Sequence, residues 1–358
     1  MRIFKILLIL LLLISPAKAF LQEDNSLEDF DDDVRGKYSL RIMFYNLENF
    51  FDTHNDSITQ DDDYTSFGMK HWGREKYNTK LNNTYKVIAS VGGWEPPEII
   101  GVCEVENKWV VSEIASGTPL RKYNYKYIHY DSPDSRGIDV AMLYRPDKFI
   151  PVSHQPIRIV YPFDTASKTR DILYVKGLTS TKDTLHIFVN HFPSKFGGAT
   201  VSIPKRNYVA SVLRSKVDSI LAINPDANIV IMGDFNDEPT DESILKTLNA
   251  KCDTNDVRKA DLYNLMCKLK TTEKIGTNKF REQWSLIDQI IVSTSLAKNT
   301  KKWHVKSYCA YIFKAEYLLQ TDDTYMGVRT YRTYTGPRYT GGYSDHLPVY
   351  MDLIYENN

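Results

Sequence analysis

Beyond residue 19, this chain of 358 residues has no apolar segment long enough to cross a bilayer as a helix, which excludes a helical transmembrane domain. Cysteine is scarce: only Cys103, Cys252, Cys267 and Cys309 occur, and no C-x-x-C pair is present. Neither a disulfide-built scaffold nor a structural zinc site is therefore expected. Net charge is absent as well, since 45 Lys plus Arg balance 45 Asp plus Glu, leaving no global field to capture a polyanion. Charge does not select the substrate. From Tyr38 onward there is no Pro/Ser/Gly-rich linker and no repeat, which favours a single folded domain over residues 38–358.

What is present begins with "MRIFKILLILLLLISPAKA": a basic start at Arg2 and Lys5, an apolar run from Ile6 to Ile14, and Ala17-x-Ala19. These three parts predict a signal peptide over residues 1–19 and a periplasmic or secreted product with no stable membrane insertion after cleavage; the alternative is an uncleaved anchor. Residues 20–37 are acidic and poor in apolar groups, and read as a flexible lead-in. Export permits disulfides. A bridge between Cys252 and Cys267 is conceivable, though spacing alone does not establish it, while Cys103 lies in an apolar run and is predicted to be a buried thiol.

With 42% hydrophobic and 25% charged residues, the rest has the composition of a globular protein. Short runs rich in β-branched and aromatic residues predict strands at 40–45, 99–103, 139–144, 185–190, 229–232, 286–293, 304–313 and 347–355. Several are apolar without interruption, as in strands covered on both faces. Helical spacing relates Tyr77, Leu81, Tyr85, Ile88 and Ala89, and again Val209, Val212, Leu213, Val217, Ile220 and Leu221, in a segment predicted to open at Pro204 and to close at Asn224-Pro225. Strands alternating with helices predict a layered α/β fold.

The strands end alike. "IVIMGDFND" runs into Asp234 and Asn236, residues 40–45 run into Asn46, and 99–103 run into Glu104. Residues 185–189 lead to Asn190-His191, Asp288 lies in the 286–293 run, and Ser344-Asp345-His346 precedes the last strand. Each feature alone is weak, because Asp is a common turn residue and a lone His is usually structural. Together they place carboxylates, amides and imidazoles where a rigid sheet mounts loop side chains. Converging carboxylates repel, and a bound divalent cation resolves that conflict; oxygen donors suit Mg2+, Mn2+ or Ca2+ better than zinc.

These motifs resemble the endonuclease/exonuclease/phosphatase superfamily, which includes pancreatic deoxyribonuclease, the major apurinic endonuclease, sphingomyelinases and inositol polyphosphate 5-phosphatases. The resemblance rests on "FYNLENFF", "GVCEVEN", "SRGIDVAMLY", "FVNHFPSKFGG", "IMGDFND", "LIDQIIVS" and "YSDHLPV", in that order across nearly the whole mature chain. It implies a four-layer α/β sandwich, two packed mixed β-sheets flanked by helices, and hydrolysis of a phosphate ester with Mg2+ or Mn2+, Ca2+ being a further option. It also implies metal ligation by Glu104, with Asn46 and Asp345 nearby, and orientation of His346 by Asp288. Asp234 and Asn236 would position the attacking water and the phosphate, and His191 would hydrogen-bond a phosphate oxygen or protonate the leaving group. Either Asp234 or His346 takes the proton from water.

Arg136, and the loop arginines Arg329, Arg332 and Arg338 interleaved with tyrosines, are candidates for phosphate and base contacts, against the alternative of a solvated surface loop. Lys195 and Arg206 are further candidates, and Glu106 competes with Glu104 for the metal. The leading expectation is an exported nuclease or phosphodiesterase acting on nucleic acid. Its enzymatic rival is a phosphatase or phospholipase-type hydrolase of inositol phosphates or sphingomyelin. A non-catalytic binding module is the alternative of another class, and the complete set of polar residues argues against it. No protein partner is inferable.

Overall fold

Along the strand Asn228–Asp234 (β8), Val230 and Met232 join one apolar cluster, while Ile229 and Ile231 join another. Successive side chains on a strand point to opposite faces, so an unbroken apolar run needs cover on both. One cover is a second sheet. The other is the helix Ala199–Ile223, whose Val209, Leu213 and Val217 pack with Ile229 and Ile231. The computed structural model describes residues 36–356 except 196–197, 254, 256–257, 273, 275 and 299–301; the expected signal peptide and almost all of the acidic lead-in lie outside the described residues. The described residues form one compact unit.

One sheet contains Ser39–Phe50 (β1), Ile99–Val105 (β2), Lys126–His129 (β3), Asp139–Tyr144 (β4), Trp303–Val305 (β14), Tyr311–Ile312 (β15) and Val349–Tyr355 (β20). Its order is β14-β20-β1-β2-β4-β3, with β15 also on β20, and only β1 and β2 run parallel. The other contains Phe149–Ile157 (β5), Ile172–Thr179 (β6), Thr184–His191 (β7), β8, Ala250–Lys251 (β9), Leu262–Asn264 (β10) and Asp288–Ser293 (β13), in the order β5-β6-β7-β8-β13-β10-β9. Helix Arg74–Gly92 buries Tyr77, Leu81, Val87, Ile88 and Val91. It covers the first sheet, where Phe50 meets Tyr77 with ring centroids 5.3 Å apart. Helix, sheet, sheet, helix is the expected four-layer sandwich. Among the described residues, three hairpins stand outside the sheets: Asn278–Phe280 (β11) with Gln283–Ser285 (β12), Leu319–Thr321 (β16) with Val328–Thr330 (β17), and Tyr334–Thr335 (β18) with Arg338–Tyr339 (β19).

Two local expectations are corrected, and two strands are added. The long helix starts at Ala199, not at Pro204; proline fixes φ in the helical range and forfeits one backbone bond there, and the turn before it still forms. The strand expected at 304–313 is split by a 3-10 turn at Lys306–Tyr308, where Ser307 and Tyr308 take positive φ. Strands β5 and β6 were not anticipated. Pro151 and Pro156 weaken the β signal of β5, and the strand is tolerated because it lies at the sheet edge.

Candidate active site

The inward face of the second sheet carries its polar residues at one end. Ile187 and Val189 alternate inward along β7, as Val230 and Met232 do along β8 and Ile290 and Val292 along β13. The same parity delivers His191, Asp234 and Asp288 to that face. Register then puts them in one row, His191 opposite Asp234 and Asp234 opposite Asp288. A row on three adjacent strands is fixed by backbone hydrogen bonds, which is why side chains can be held there without a flexible loop.

The first sheet answers with Asn46 and Glu104. Asn46 pairs with Cys103 in register, so Glu104, next along β2, would point away by simple alternation. A register shift between Cys103 and Val105, with φ of 60° at Glu104, turns the carboxylate back toward the row. Asn46 Nδ2 then reaches Asp234 Oδ2 at 3.1 Å and Glu104 Oε1 at 3.3 Å, while Asn46 Oδ1 accepts from the Glu48 amide at 2.9 Å. Asn46 thus braces two carboxylates across the sandwich.

His346 precedes β20 and faces the row from the first sheet's side. Its Nδ1 donates to Asp288 Oδ2 at 2.7 Å, leaving Nε2 3.9 Å from Asp234 Oδ2 and 3.9 Å from Asp345 Oδ1. Burial by itself lowers the His346 pKa, but Asp288, Asp345 and Asp234 outweigh it and hold the imidazole well above its ordinary value. His191 behaves oppositely. Burial, then the positive charges of Arg170, Arg136 and His346, push it well down and keep it neutral, with Nε2 3.6 Å from Asp234 Oδ2 and 3.7 Å from Glu104 Oε1. Asp234 is pushed up, chiefly by burial and further by Asp288 and Glu104, against His346 and the Asn236 amide. Two imidazoles in one site, one charged and one neutral, follow from different neighbours.

Asn236 takes a φ of 50° and donates from Nδ2 to the Phe192 carbonyl at 3.0 Å, while its amide caps Asp234 Oδ1 at 2.9 Å. Asp345 is tied to Arg332, Nη2 to Oδ2 at 3.0 Å, and Arg332 Nε binds Glu48 at 3.0 Å. Arg332 is therefore a brace for Asp345. Arg329 and Arg338 sit on separate hairpins, β16–β17 and β18–β19, and neither is ion-paired to these carboxylates among the described residues. The tyrosines between them are largely spent on packing: Tyr334 is buried beside Trp72, and Tyr331 meets Tyr343. Arg136 keeps a 43% exposed side chain near Asp134 and remains available to a ligand.

Lys195 pairs with Asp237 and Asp241. Arg206, only 1% exposed, binds Asp237 Oδ2 at 2.7 Å and fastens the long helix to the loop after Asp234. Glu106 turns away from the row, toward Asp52 and Asn107. Sequence reasoning does not single out Glu48, Lys80, Arg170 or Thr277. Glu48 is buried with φ of 51°, and Lys80 donates to Thr333 Oγ1 and the Tyr343 carbonyl. Arg170 binds Asp134 and the Phe192 carbonyl beside His191. Thr277 Oγ1 accepts from the amides of Ile287 and Asp288.

The donor set fits a hard divalent cation. Glu104, with a 14% exposed side chain, is ion-paired to no lysine or arginine among the described residues, and its nearest base is the neutral His191. Asp234, Asp288 and His346 also each present a ligand atom within 4.8 Å of the others. Outside the site, Cys252 and Cys267 form a disulfide and Cys103 is a buried free thiol. No described helix is long and apolar enough to cross a membrane.

The fold is similar to that of an endonuclease/exonuclease/phosphatase family protein from Bacteroides thetaiotaomicron, at 18% identity and TM-score 0.56 over 89% of this chain and 99% of that one. It is similar to a mannosyl-6-phosphatase of Bacteroides thetaiotaomicron, at 19% identity and TM-score 0.55 over 88% and 100%. It is also similar to D. rerio TDP2 complexed with single strand DNA product, at 14% identity and TM-score 0.52 over 88% and 98%. No curated protein matches the sequence significantly. The sequence itself matches the Endonuclease/Exonuclease/phosphatase family over residues 41–355, so the chain belongs to this family of metal-dependent phosphoester hydrolases.

Proposed function

We propose that this protein is an exported phosphodiesterase, acting on nucleic acid with Mg2+ or Mn2+. The observation that carries the reading is the convergence of His191, Asp234 and Asp288 in one row, faced across the sandwich by Asn46, Glu104 and His346. Asp234, pushed toward neutrality, accepts a proton from the attacking water better than an ordinary carboxylate does. His346, held protonated by Asp288, donates to a phosphoryl oxygen through Nε2. His191 stays neutral and donates a hydrogen bond to another oxygen, and Asn236 aligns the water with Asp234. Arg136 reaches the flanking phosphate. Glu104 and Asp345 would supply oxygens to a divalent cation, and the chemistry such a cation would supply is neutralisation of phosphoryl charge and stabilisation of the leaving oxygen.

Export is supported by the three-part segment at residues 1–19 and by the Cys252–Cys267 disulfide, which persists in oxidising compartments. Similar folds include one titled a mannosyl-6-phosphatase and one bound to a single strand DNA product, so monoester and diester substrates are both to be assayed. The test is hydrolysis by the mature chain of DNA, RNA, bis-p-nitrophenyl phosphate, a sugar phosphate, an inositol polyphosphate and sphingomyelin, with EDTA and with added Mg2+ or Mn2+. Metal-dependent cleavage of nucleic acid is expected. Turnover confined to the sugar phosphate, inositol phosphate or lipid would retain the chemistry and replace the substrate.

A further inference from the structure

One lip of the site is built by two hairpins that the reaction proposed above does not use. The first, β11–β12, begins at Asn278, which pairs with His346 in an isolated bridge and donates from Nδ2 to the Asp345 carbonyl at 3.0 Å. The second, β16–β17, reaches the same carbonyl through Thr330 Oγ1 at 3.2 Å. A buried ion pair latches the two together: Lys279 Nζ binds Asp322 Oδ2 at 2.8 Å, with side chains 4% and 3% exposed, and donates to the Met326 carbonyl at 3.0 Å. Asp322 Oδ1 also accepts from the amides of Thr324 and Tyr325, which shapes the second tip. Both hairpins are thus fixed to the segment that carries Asp345 and His346, and to each other.

Side chains alternate along β11, so Phe280 projects from the same face as Asn278 while Lys279 turns to the second hairpin. At the usual strand rise Phe280 stands about 7 Å along from Asn278. Its ring is 70% exposed, and the Arg281 guanidinium lies 5.3 Å from the ring centroid. The second tip adds Met326, 84% exposed, and Val328, 38% exposed. Apolar side chains on two latched tips beside a reaction site form a patch, which single scattered residues do not. An exposed ring with a neighbouring guanidinium suits a nucleobase, whose face is open to stacking where the strand is unpaired. A membrane suits these tips less well, because Glu282 and Asp323 stand among the apolar residues and carboxylates resist burial in lipid.

We propose that Phe280 is the platform on which a base of single-stranded nucleic acid stacks as the neighbouring phosphate enters the site, with Arg281 on the adjoining phosphate. Met326 and Val328 continue the apolar wall. The latch between Lys279 and Asp322 holds the platform in place before substrate arrives, so little ordering is needed on binding. The inference rests on the nucleic-acid reading above and adds to it a preference for unpaired strands.

The test gives the mature chain, with Mg2+ or Mn2+, a labelled single strand, the same strand in a duplex, and the single strand with abasic nucleotides flanking the cleaved bond. The lowest KM is expected on the intact single strand. Phe280→Ala is expected to raise that KM about tenfold, with a smaller change in kcat and an unchanged Tm, and Phe280→Trp to restore it. On the abasic strand the parent and Phe280→Ala should share one KM, because no base is left to stack. Cleavage of the single strand with equal KM for parent and Phe280→Ala would overturn this inference alone. Turnover of other phosphate esters with no nucleic acid cleaved would overturn it together with the reading it rests on. Cosedimentation of the parent with phosphatidylcholine vesicles, lost in Phe280→Ala, would overturn it in favour of a lipid surface.

Discussion

His346 Nδ1 lies 2.7 Å from Asp288 Oδ2, although Asp288 opens β13 of the second sheet, His346 lies in the segment before β20 of the first, and the two stand 58 positions apart. The contact fixes the tautomer, directs Nε2 at Asp234, and keeps the ring charged. Asp288→Asn preserves shape and removes that charge. Its kcat/KM is expected to fall by about 10²–10⁴, with little change in Tm. Activity within twofold of the parent would show that Asp288 does not prepare His346.

The pH profile should be bell-shaped. Asp234 works ionised, and its pKa is raised by burial first, so activity disappears as pH falls through a value above the usual carboxylate range. His346 works protonated, and its pKa is raised by the surrounding carboxylates in spite of burial, so activity disappears as pH rises through a value above the usual histidine range. Measuring kcat/KM from acid to alkaline pH at saturating Mg2+ checks both limbs, and Asp288→Asn should move the alkaline limb down. A profile with its alkaline limb at the ordinary histidine value would contradict the assignment.

Arg332 holds Asp345 and Glu48 at 3.0 Å each. Removing a group that orients a metal ligand usually weakens metal use by about 10–100-fold. Arg332→Gln is expected to raise the half-saturating Mg2+ concentration by that order, with a smaller change in substrate KM. The reverse pattern would return Arg332 to the substrate.

Gly233 leads directly into Asp234, and a Cβ there would stand 2.5 Å from the Asn190 carbonyl oxygen. That neighbour is backbone in the paired strand β7 and cannot swing aside. Gly233→Ala should cost about 1–3 kcal/mol of stability and shift the His191 and Asp234 row. Denaturant melts and turnover measure the two effects, and an unchanged enzyme would mean that the strands part without consequence.

The Cys252–Cys267 disulfide closes a loop with a sequence separation of 15. In the chain-entropy picture a crosslink of that span contributes about 3 kcal/mol. The Cys252→Ser, Cys267→Ser double variant should melt several degrees lower while retaining turnover at 25 °C, since neither residue belongs to the site. An unchanged Tm would show that the folded loop is held by other contacts.

Much of the site was readable as chemistry at strand ends. An apolar run stopped by Asp234, Asn46 or Glu104 is a local signal, because burial on both faces imposes the run and the ligand-binding end of the sheet imposes the stop. The arginines illustrate the limit. Arg136, Arg329, Arg332 and Arg338 are equivalent as sequence, yet Arg332 is bound between two carboxylates, Arg329 and Arg338 stand on outlying hairpins, and Arg136 is ion-paired to Asp134 with its side chain 43% exposed. Glu48, Arg170 and Lys80 carry no local signal, since each acquires its meaning from a partner far along the chain.

By itself the sequence determined the alternation of covered strands and helices and the kinds of groups that end them, because side-chain period and turn chemistry act over a few residues. Tertiary structure alone decided which of those groups meet. Asn46 and Asp234 are 188 positions apart and 3.1 Å apart in space. Whether Glu104 or Glu106 enters the site turns on one backbone angle at a bulge. Charge states were decided there too, because burial and the Coulomb interaction depend on distances in the folded molecule and not on order along the chain.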